Sequence, residues 1–382
     1  MKIAMVTPYL PPRLGGREYW VPAMSKALTN LGIDVKIYCS NVDDFHKSKS
    51  KNEVGVFEGV PFFKAFTPFD LSKFSTPITF PPFKDLKKYN PDIIHIHEPN
   101  LILTTSLAIY GKYFLKKKII MHNYSDPFDW LGGGFFFKLA MGFYKILHRL
   151  KLTISDAVIV ISEEYRDYAR FFRPFRHKIE ILPMCLSEKF IQTKTYEIRN
   201  NIIYAGRLDK RKGIDTLIKS MGYLENMNLL IAGTGEKQTI KELHSLSKAI
   251  VKQNPSIRIE FLGNKTQTEL NEILNDSAVL ILPTSDKTAE TFGAVLIEAW
   301  ATGIPVISAN NPAPSKLIND SGGGLIFERG DFKDLAENIL FLLNNFEKAK
   351  QMGLNGQNYV SKKFSFEANA NIQLNIYKSI IK

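Results

Sequence analysis

Short apolar runs alternate along the chain with longer segments in which apolar residues recur at helical spacing. This alternation is typical of α/β proteins, in which helices cover a parallel sheet. Strands are predicted in the first half at 2–7, 34–39, 92–97, 118–122 and 157–161, and in the second half at 201–205, 228–232, 258–262, 278–282 and 304–308. Helices are predicted at 16–31, 213–223, 236–252, 267–275, 293–301, 332–345 and 348–362. Two doubly wound sheets are the simplest arrangement, and such sheets bind ligands at the carboxyl ends of their strands.

The composition is that of a globular protein, because 45% of the 382 residues are hydrophobic and 23% are charged. The length suits two domains of ordinary size, with a boundary expected near 186–198. Cys39 and Cys185 show neither disulfide nor metal-site spacing, which favours a reducing compartment. The first residues are expected to form a strand and not a signal peptide. No run approaches about 18 uncharged apolar residues, so we predict a cytoplasmic protein without a membrane span.

The segment ETFGAVLIEAWATG, residues 290–303, places two carboxylates, Glu290 and Glu298, eight positions apart on either side of a helix start. Eight residues at about 100° each bring Glu298 to roughly the same side of the helix as its first turn. The small residues Thr291 and Gly293 let a ligand approach the first helical amides, which attract anions. The pattern suits a ligand with an anionic centre and hydroxyl-rich ends, such as a nucleotide sugar.

Two further segments have the character of phosphate-binding loops. Gly15 and Gly16 separate the first strand from the first helix, although Glu18 stands where a dinucleotide fingerprint would have another glycine. Arg207 and Lys212 follow the predicted strand 201–205, where fixed cations would stabilise the charge of a departing diphosphate. The alternatives are a simple strand-to-helix turn and ordinary solvated charges.

Together these segments resemble glycosyltransferase family 4, whose signature is a pair of glutamates with seven residues between them. The quoted 290–303 segment carries that pair, AGRLDKRKG (205–213) is similar to the family's diphosphate-binding segment, IAGTGE (231–236) to its next glycine turn, and LPPRLGGRE (10–18) to its first glycine loop. The resemblance implies a retaining enzyme of the GT-B fold, with two doubly wound Rossmann-like domains facing a central cleft. We expect an acceptor-binding domain at 1–186 plus 364–382 and a nucleotide-sugar donor-binding domain at 187–363.

The resemblance also implies roles for individual residues. Glu290 is expected to contact the sugar hydroxyls, Glu298 the ribose, and Arg207 with Lys212 the diphosphate. The other expected donor-binding residues are Gly15, Gly16, Gly206, Gly233, Gly235, Thr291, Phe292 and Gly293. His122 ends a predicted strand and resembles the family's histidine near the transferred sugar. The expected catalytic residues are therefore His122, Arg207, Lys212 and Glu290.

His97 and Asn123 are candidates for the acceptor side of the site. His95 and His97 alternate with isoleucines, so they share one face of a strand, whereas Glu98 faces the other way. A metal site would need further ligands, and we predict none. Structural histidines remain the alternative.

The formal net charge is +12, and the basic excess is greatest at 101–151. Lys138, Gly142, Lys145 and Arg149 form one stripe on a predicted apolar helix at about 135–151. Such a helix either lies on an anionic membrane, which would make the protein peripheral on the inner face of the cell membrane, or is a core helix with one solvated face. No zinc-finger, homeodomain or RNA-binding pattern is present, so no nucleic-acid partner is predicted.

We therefore predict a metal-independent hexosyltransferase that uses a UDP-, GDP- or ADP-sugar, needs no cofactor, and acts on a glycan or lipid-linked acceptor in cell-envelope polysaccharide or glycolipid synthesis. The alternatives are a nucleotide-sugar epimerase of the same fold and a non-catalytic paralogue that binds nucleotide sugars.

Overall fold

The computed structural model describes residues 1–11, 16–42, 51–71, 76–100, 102–125, 135–186, 190, 199–286 and 290–381. The chain divides by contacts into two compact units. The amino-terminal unit comprises Met1–Cys185 and Phe366–Lys382, and the carboxy-terminal unit comprises Leu186–Ser365.

The strands of the amino-terminal unit are β1 (Lys2–Val6), β2 (Asp34–Ser40), β3 (Glu53–Phe57), β4 (Val60–Ala65), β5 (Phe69–Leu71), β6 (Thr76–Ile78), β7 (Ile93–Glu98), β8 (Lys118–Asn123), β9 (Ala157–Val160) and β10 (Ile179–Ile181). Those of the carboxy-terminal unit are β11 (Asn201–Ala205), β12 (Asn228–Ala232), β13 (Arg258–Gly263), β14 (Val279–Leu282), β15 (Val306–Ala309) and β16 (Gly324–Phe327).

The helices are α1 (Gly16–Asn30), α2 (Phe83–Tyr89), α3 (Ile102–Ile109), α4 (Phe135–Ile154), α5 (Glu163–Tyr168), α6 (Ile214–Ser220), α7 (Lys237–Gln253), α8 (Gln267–Asn275), α9 (Ala294–Ala301), α10 (Pro312–Ser321), α11 (Phe332–Asn344), α12 (Phe346–Lys363) and α13 (Phe366–Ile381). The helix α13 returns to the amino-terminal unit, where it packs against α1.

Both large sheets have a doubly wound strand order. The amino-terminal sheet runs β10-β9-β8-β7-β1-β2-β4-β3, and the carboxy-terminal sheet runs β13-β12-β11-β14-β15-β16. The second sheet is parallel throughout, and the first is parallel except for its edge strand β3. The order reverses between β1 and β7 in one unit and between β11 and β14 in the other. Ligands of such sheets bind beyond the carboxyl ends of the strands at these reversals.

The ten predicted strands and the predicted helices are present within a few residues of their expected bounds. The structure adds the hairpin of β3 and β4, the short strands β5, β6, β10 and β16, and the helices α2, α3, α5 and α10. The hairpin turns at Glu58 and Gly59, which both have positive φ angles; glutamate is an unusual residue there, so the turn signal is weak. Helix α10 begins at Pro312. The first turn of a helix tolerates proline because the N–H that proline lacks would have no intrahelical acceptor there.

Candidate active site

The loops after β11 and β14 are hydrogen-bonded to each other at the point where the strand order of the carboxy-terminal sheet reverses. After β11 the chain forms a 3₁₀ turn, Lys210–Lys212, in which the Arg211 amide donates to the carboxylate of the N-cap residue Asp209 over 3.0 Å. Gly213 then adopts a φ of 65°, a left-handed conformation that favours glycine. The amide of Ser285, which follows β14, donates to the Arg211 carbonyl oxygen over 2.9 Å. The turn that carries Lys212 is therefore held against the loop that leads to Glu290.

Lys212 and Glu290 form an ion pair in this position. The Lys212 Nζ lies 2.8 Å from Glu290 Oε2, and the two side chains are 12% and 14% exposed. The hydroxyl of Thr284, just beyond β14, donates to the same carboxylate oxygen over 3.4 Å. Two predicted site residues that are 78 positions apart in the sequence thus meet at the carboxyl ends of the central strands.

Arg207 stands on the same loop with an anchored backbone and an accessible side chain. The Tyr204 hydroxyl donates to the Arg207 carbonyl oxygen over 2.7 Å. The guanidinium group lies 3.6 Å from the Asp209 carboxylate, and the side chain is 58% exposed. A ligand anion could therefore reach Arg207 without displacing buried contacts.

The three predicted glycines of this region bring two loops into contact. The Gly206 amide donates to the Ala232 carbonyl oxygen over 3.0 Å, and Gly235 forms a parallel bridge with Leu208. A Cβ atom at Gly233 would collide with the carbonyl oxygen of Gly206. These glycines therefore have a packing role that is independent of any direct ligand contact.

Thr291, Phe292 and Gly293 lead into α9, and Glu298 lies within that helix. Gly293 is its N-cap with a φ of 92°, and Phe292 is buried, with its ring 5.7 Å from that of Phe364. Because its side chain is buried, Phe292 can offer a ligand only its backbone. Glu298 lies in the helix interior and is partly buried, and its burial raises its pKa to about 7.

Three histidines lie side by side on one face of the amino-terminal sheet. His97 of β7 is in register with His122 of β8, and His95 precedes them by two residues on the same face. All three are fully buried, and the ring centroids of His122 and of Trp20 from α1 are 5.0 Å apart, with the ring planes nearly perpendicular. Burial lowers the pKa of His95 to about 3 and, with the neighbouring His95, holds that of His122 well below its usual value. Gly16 begins α1, whereas Gly15 lies outside the described residues.

The three rings bring candidate metal ligands together, since nitrogens of all three lie within 4.8 Å of one another. A metal ion binds an imidazole nitrogen in the plane of its ring, so rings that share an ion radiate from it. Here the His95 ring is stacked on those of His97 and His122, with interplanar angles of 25° and 10°. The arrangement does not fit a shared metal ion without rotation of the rings.

Asn123 lies on the opposite face of the sheet from His97, so the structure separates the two predicted acceptor-side residues. The Asn123 carboxamide oxygen accepts a hydrogen bond from His148 Nε2 of α4 over 3.0 Å. On this face Lys151 of α4 forms a buried ion pair with Glu98, with 2.7 and 2.8 Å contacts to the two carboxylate oxygens.

The predicted cationic stripe of α4 faces solvent where its side chains are described. Lys145 and Arg149 are exposed, and the side chain of Lys138 lies outside the described part of the helix. Phe143 and Ile146, on the exposed surface of the same helix, are 55% and 66% exposed. This surface therefore combines cations with apolar side chains, whereas Lys151 is buried on the other side.

Two family descriptions match nearly the whole chain. "Glycosyltransferase Family 4" matches residues 14–187, and "Glycosyl transferases group 1" matches residues 187–359. The chain belongs to glycosyltransferase family 4. The expected resemblance is confirmed, and the two Rossmann-like units are those of the GT-B fold.

Individual relatives agree with this membership. An uncharacterised glycosyltransferase of Methanocaldococcus jannaschii is 25% identical over 374 residues, covering 96% of this chain and 95% of the relative. A capsular polysaccharide biosynthesis glycosyltransferase of Staphylococcus aureus is 32% identical over 189 residues, or 47% of each chain. The crystal structure of Anabaena HepE in complex with UDP superposes with a TM-score of 0.73 at 15% identity, covering 99% of this chain and 100% of that one, which shows a shared fold.

Several residues of this family 4 protein were missed by sequence reasoning. Thr284 and the Glu98–Lys151 pair have no local signal, because their partners are distant in sequence. His95 was considered only for metal binding, and its hydrogen-bond partner Tyr377 lies 282 positions away in the sequence. Among the described residues, no helix is long and apolar enough to cross a membrane.

Proposed function

We propose that this protein is a retaining, metal-independent glycosyltransferase that moves a sugar from a nucleotide-sugar donor to a glycan or lipid-linked acceptor. The observation that carries the proposal is the Lys212–Glu290 pair at the strand-order reversal of the carboxy-terminal sheet, with the accessible Arg207 on the same loop. The carboxy-terminal unit would bind the donor and the amino-terminal unit the acceptor. The proposed role in cell-envelope synthesis rests on relatives such as the capsular polysaccharide biosynthesis glycosyltransferase.

The charges of the carboxy-terminal loops suit a diphosphate and a sugar together. Arg207 and Lys212 supply fixed positive charge for the phosphates, and the first amides of α9 add to it. Glu290 is an acceptor for sugar hydroxyls, and its pairing with Lys212 positions it before the donor arrives. Glu298, deeper in α9, would accept from the ribose hydroxyls.

In the proposed reaction, the bond between the sugar anomeric carbon and the diphosphate oxygen breaks while the acceptor oxygen bonds to the same face of the sugar. The acceptor proton passes to the departing diphosphate. Negative charge on that diphosphate grows as the bond breaks, so Arg207 and Lys212 stabilise the transition state more than the bound donor. The acceptor-side histidine His122 would contact the transferred sugar.

The proposal is tested by thermal-shift screening of UDP-, GDP- and ADP-sugars, beginning with UDP-glucose because HepE binds UDP. A ligand at 100 times its dissociation constant stabilises by about 2.7 kcal/mol. The stabilising donor is then incubated in excess EDTA with and without a sugar alcohol acceptor, and the product anomer is determined. An inverted product, or turnover restored only by Mg²⁺ or Mn²⁺, contradicts the proposal. An isomerised sugar formed without an acceptor identifies an epimerase, and binding without turnover identifies a non-catalytic paralogue.

Replacement of Glu298 by Gln should weaken binding of a nucleoside diphosphate yet stabilise the free protein at pH 8. The lost charge-assisted hydrogen bonds to ribose cost about 1.5–3 kcal/mol of binding free energy. The pKa of Glu298 is 4.5 in the unfolded chain and is raised to about 7 in the folded protein. Glu298 therefore stabilises the fold fully when the pH is below 4.5, and this stabilisation is lost as the pH rises through 7. Calorimetric titration and thermal unfolding at pH 5 and pH 8 measure the two effects.

At pH 5 the carboxyl group is mostly protonated, so wild type and the Gln variant should unfold at similar temperatures. Glu269→Gln is a matched control, because Glu269 is half exposed and caps α8 away from the loops described above. If Glu298→Gln binds the nucleotide as tightly as wild type, the ribose contact is wrong.

We also propose that α4 binds anionic membrane surfaces. Each near-surface cation contributes about 1 kcal/mol, and the exposed Phe143 and Ile146 could enter the interface beside Lys145 and Arg149. Lys118 contributes little to the positive charge of this surface, because its ammonium group lies 3.7 Å from the carboxylate of Asp156. This location would bring the acceptor-binding unit to lipid-linked glycans.

Changing Lys138, Lys145 and Arg149 together to Gln should release the protein from anionic liposomes at low salt. Wild-type binding should fall steeply with added salt, because screening limits each charge to about 8–10 Å at physiological ionic strength. Co-sedimentation is the measurement. The control changes Lys241, Lys248 and Lys252, all exposed on α7, to Gln and removes the same net charge. If wild type ignores anionic liposomes, or if both triple variants lose binding equally, α4 is not the contact surface.

A further inference from the structure

The histidine cluster leaves two buried ring nitrogens unpaired. Among the described residues, neither His95 Nε2 nor His122 Nε2 has a hydrogen-bond partner, although both side chains are fully buried. A buried polar atom without a partner costs free energy, so such atoms indicate a missing ligand or water. The hydrogen bonds around the two rings determine what that ligand must be.

A chain of hydrogen bonds leads from Met5 to His122. His97 Nε2 lies 3.4 Å from the Met5 sulfur, which can only accept, so Nε2 carries the proton. Burial disfavours a charged imidazole, so His97 Nδ1 is an acceptor for the Tyr124 hydroxyl at 2.8 Å. The Tyr124 oxygen then accepts from His122 Nδ1 at 3.4 Å. His122 therefore has its proton on Nδ1 and a bare, buried lone pair on Nε2.

His95 has the opposite arrangement. Its Nδ1 lies 2.7 Å from the Tyr377 hydroxyl, and the Gln373 amide nitrogen faces both atoms. That amide nitrogen can only donate, so the Tyr377 oxygen accepts from it and the Tyr377 proton goes to His95 Nδ1. His95 therefore carries its proton on Nε2, which becomes an unpaired donor. Both tyrosines reach the cluster from outside strands β7 and β8: one follows β8 and the other lies on α13.

We propose that Tyr124 and Tyr377 impose opposite tautomers on His122 and His95, so that the cluster offers a hydroxyl group one buried acceptor, His122 Nε2, and one buried donor, His95 Nε2. A hydroxyl group can donate to His122 Nε2 and can accept from His95 Nε2, whereas a carboxylate cannot donate and an ammonium cannot accept. The low pKa values of both rings keep them neutral, as this site requires. Tyr124 and Tyr377 are positioning residues that act through the histidines.

Two sources can supply the hydroxyl group. The same chemistry is available from an ordered water and from a sugar hydroxyl. The assignment of the hydroxyl group to a sugar rests on the proposed transferase function, whereas the assignment of the tautomers does not.

The test is a set of long-range ¹⁵N–¹H correlation spectra of ¹⁵N-histidine-labelled protein, which show which nitrogen of each ring carries the proton. The chain has 7 histidines, and His122→Asn and His95→Asn assign the two relevant signals. We expect the Nδ1–H form for His122 and the Nε2–H form for His95 in the free protein. The opposite tautomer on either ring, or an imidazolium signal at pH 7, overturns the proposal without bearing on catalysis.

Two matched variants test the cause. Tyr124→Phe keeps the ring that stacks 4.2 Å from His122 but removes the hydroxyl, and it should shift the His122 tautomer ratio by about fivefold, the effect of one ordinary hydrogen bond. Tyr377→Phe should shift the His95 ratio and leave His122 unchanged. If neither variant moves its own histidine, or if each moves both equally, the tyrosines do not set the tautomers.

Spectra with UDP, UDP-glucose and no addition distinguish the two sources of the hydroxyl. Changes at His95 and His122 with UDP-glucose but not with UDP assign the site to a sugar hydroxyl. Unchanged signals in all three assign it to bound water, provided that the tautomers are as stated. A change that UDP alone produces in full would contradict a site for a hydroxyl of the transferred sugar, because UDP lacks that sugar.

Discussion

Replacement of Lys212 by alanine should lower turnover by about two to three orders of magnitude at saturating donor, the scale for removal of one group that stabilises transition-state charge. The Lys212 ammonium group is held against Glu290 at the carboxyl ends of β11 and β14, where the diphosphate is expected to leave. Binding of the intact donor should weaken less than turnover falls, because the additional negative charge appears only as the bond breaks. Steady-state kinetics with the donor identified by thermal shift, together with calorimetric affinities, measure both quantities.

The adjacent turn provides a matched control for this experiment. Lys210 carries the same charge two residues earlier, is 73% exposed, and pairs with Glu242 of α7. Lys210→Ala should therefore leave turnover within about twofold of wild type, as expected for an exposed side chain away from the reacting atoms. Thermal unfolding of Lys212→Ala confirms that loss of the ion pair has not unfolded the protein. Equal turnover of the folded Lys212→Ala protein and wild type would remove Lys212 from the leaving-group role.

Local patterns predicted the fold and the positions of two predicted site residues relative to a helix. Spacing alone put Glu290 before a helix and Glu298 inside it, and the structure places them before and within α9. The prediction worked because helical periodicity and glycine positions are local signals. Local signals could not reveal that position 233 must be glycine because a side chain there would collide with the Gly206 carbonyl oxygen. That contact depends on the path of two separate loops.

The side-chain contacts of the amino-terminal unit were harder to predict, because its polar residues pair across long sequence distances. His95 and Tyr377 lie 282 positions apart, and the last helix carries the tyrosine to the sheet. Strand alternation correctly predicted that His95 and His97 share a face and that Glu98 points away. It could not predict that Asn123 joins Glu98 on the far face, because the register of β7 and β8 decides which residues lie side by side.

The second large effect concerns stability: Lys151→Met should destabilise the amino-terminal unit by about 3–5 kcal/mol, the cost of leaving a buried charge unpaired. Lys151 is fully buried, and its ammonium group contacts both Glu98 oxygens and the Asn100 carbonyl oxygen at 2.7–2.8 Å. Although burial alone would raise it, the pKa of Glu98 is held below its usual value by the charge of Lys151. Calorimetric unfolding is the measurement, with the loss expected in the transition of this unit.

Two further variants separate the buried charge from the helix that carries it. Lys145→Met changes the same residue type on the exposed side of α4 and should alter stability by no more than about 0.5 kcal/mol. The double change Glu98→Gln with Lys151→Met removes both charges and should recover much of the loss, because no unpaired ion remains. A single Lys151→Met variant as stable as wild type would mean that Glu98 takes up a proton or water at little cost.

The acid dependence of unfolding gives an independent check on the same pair. Since the pKa of Glu98 is lowered on folding, its contribution is fully present above its unfolded value of 4.5 and is lost as the pH falls through the lower folded value. Wild type should therefore lose stability more steeply below pH 4.5 than the neutral double variant. Parallel acid profiles for the two proteins would show that Glu98 is not the ionised partner of Lys151 in the folded state.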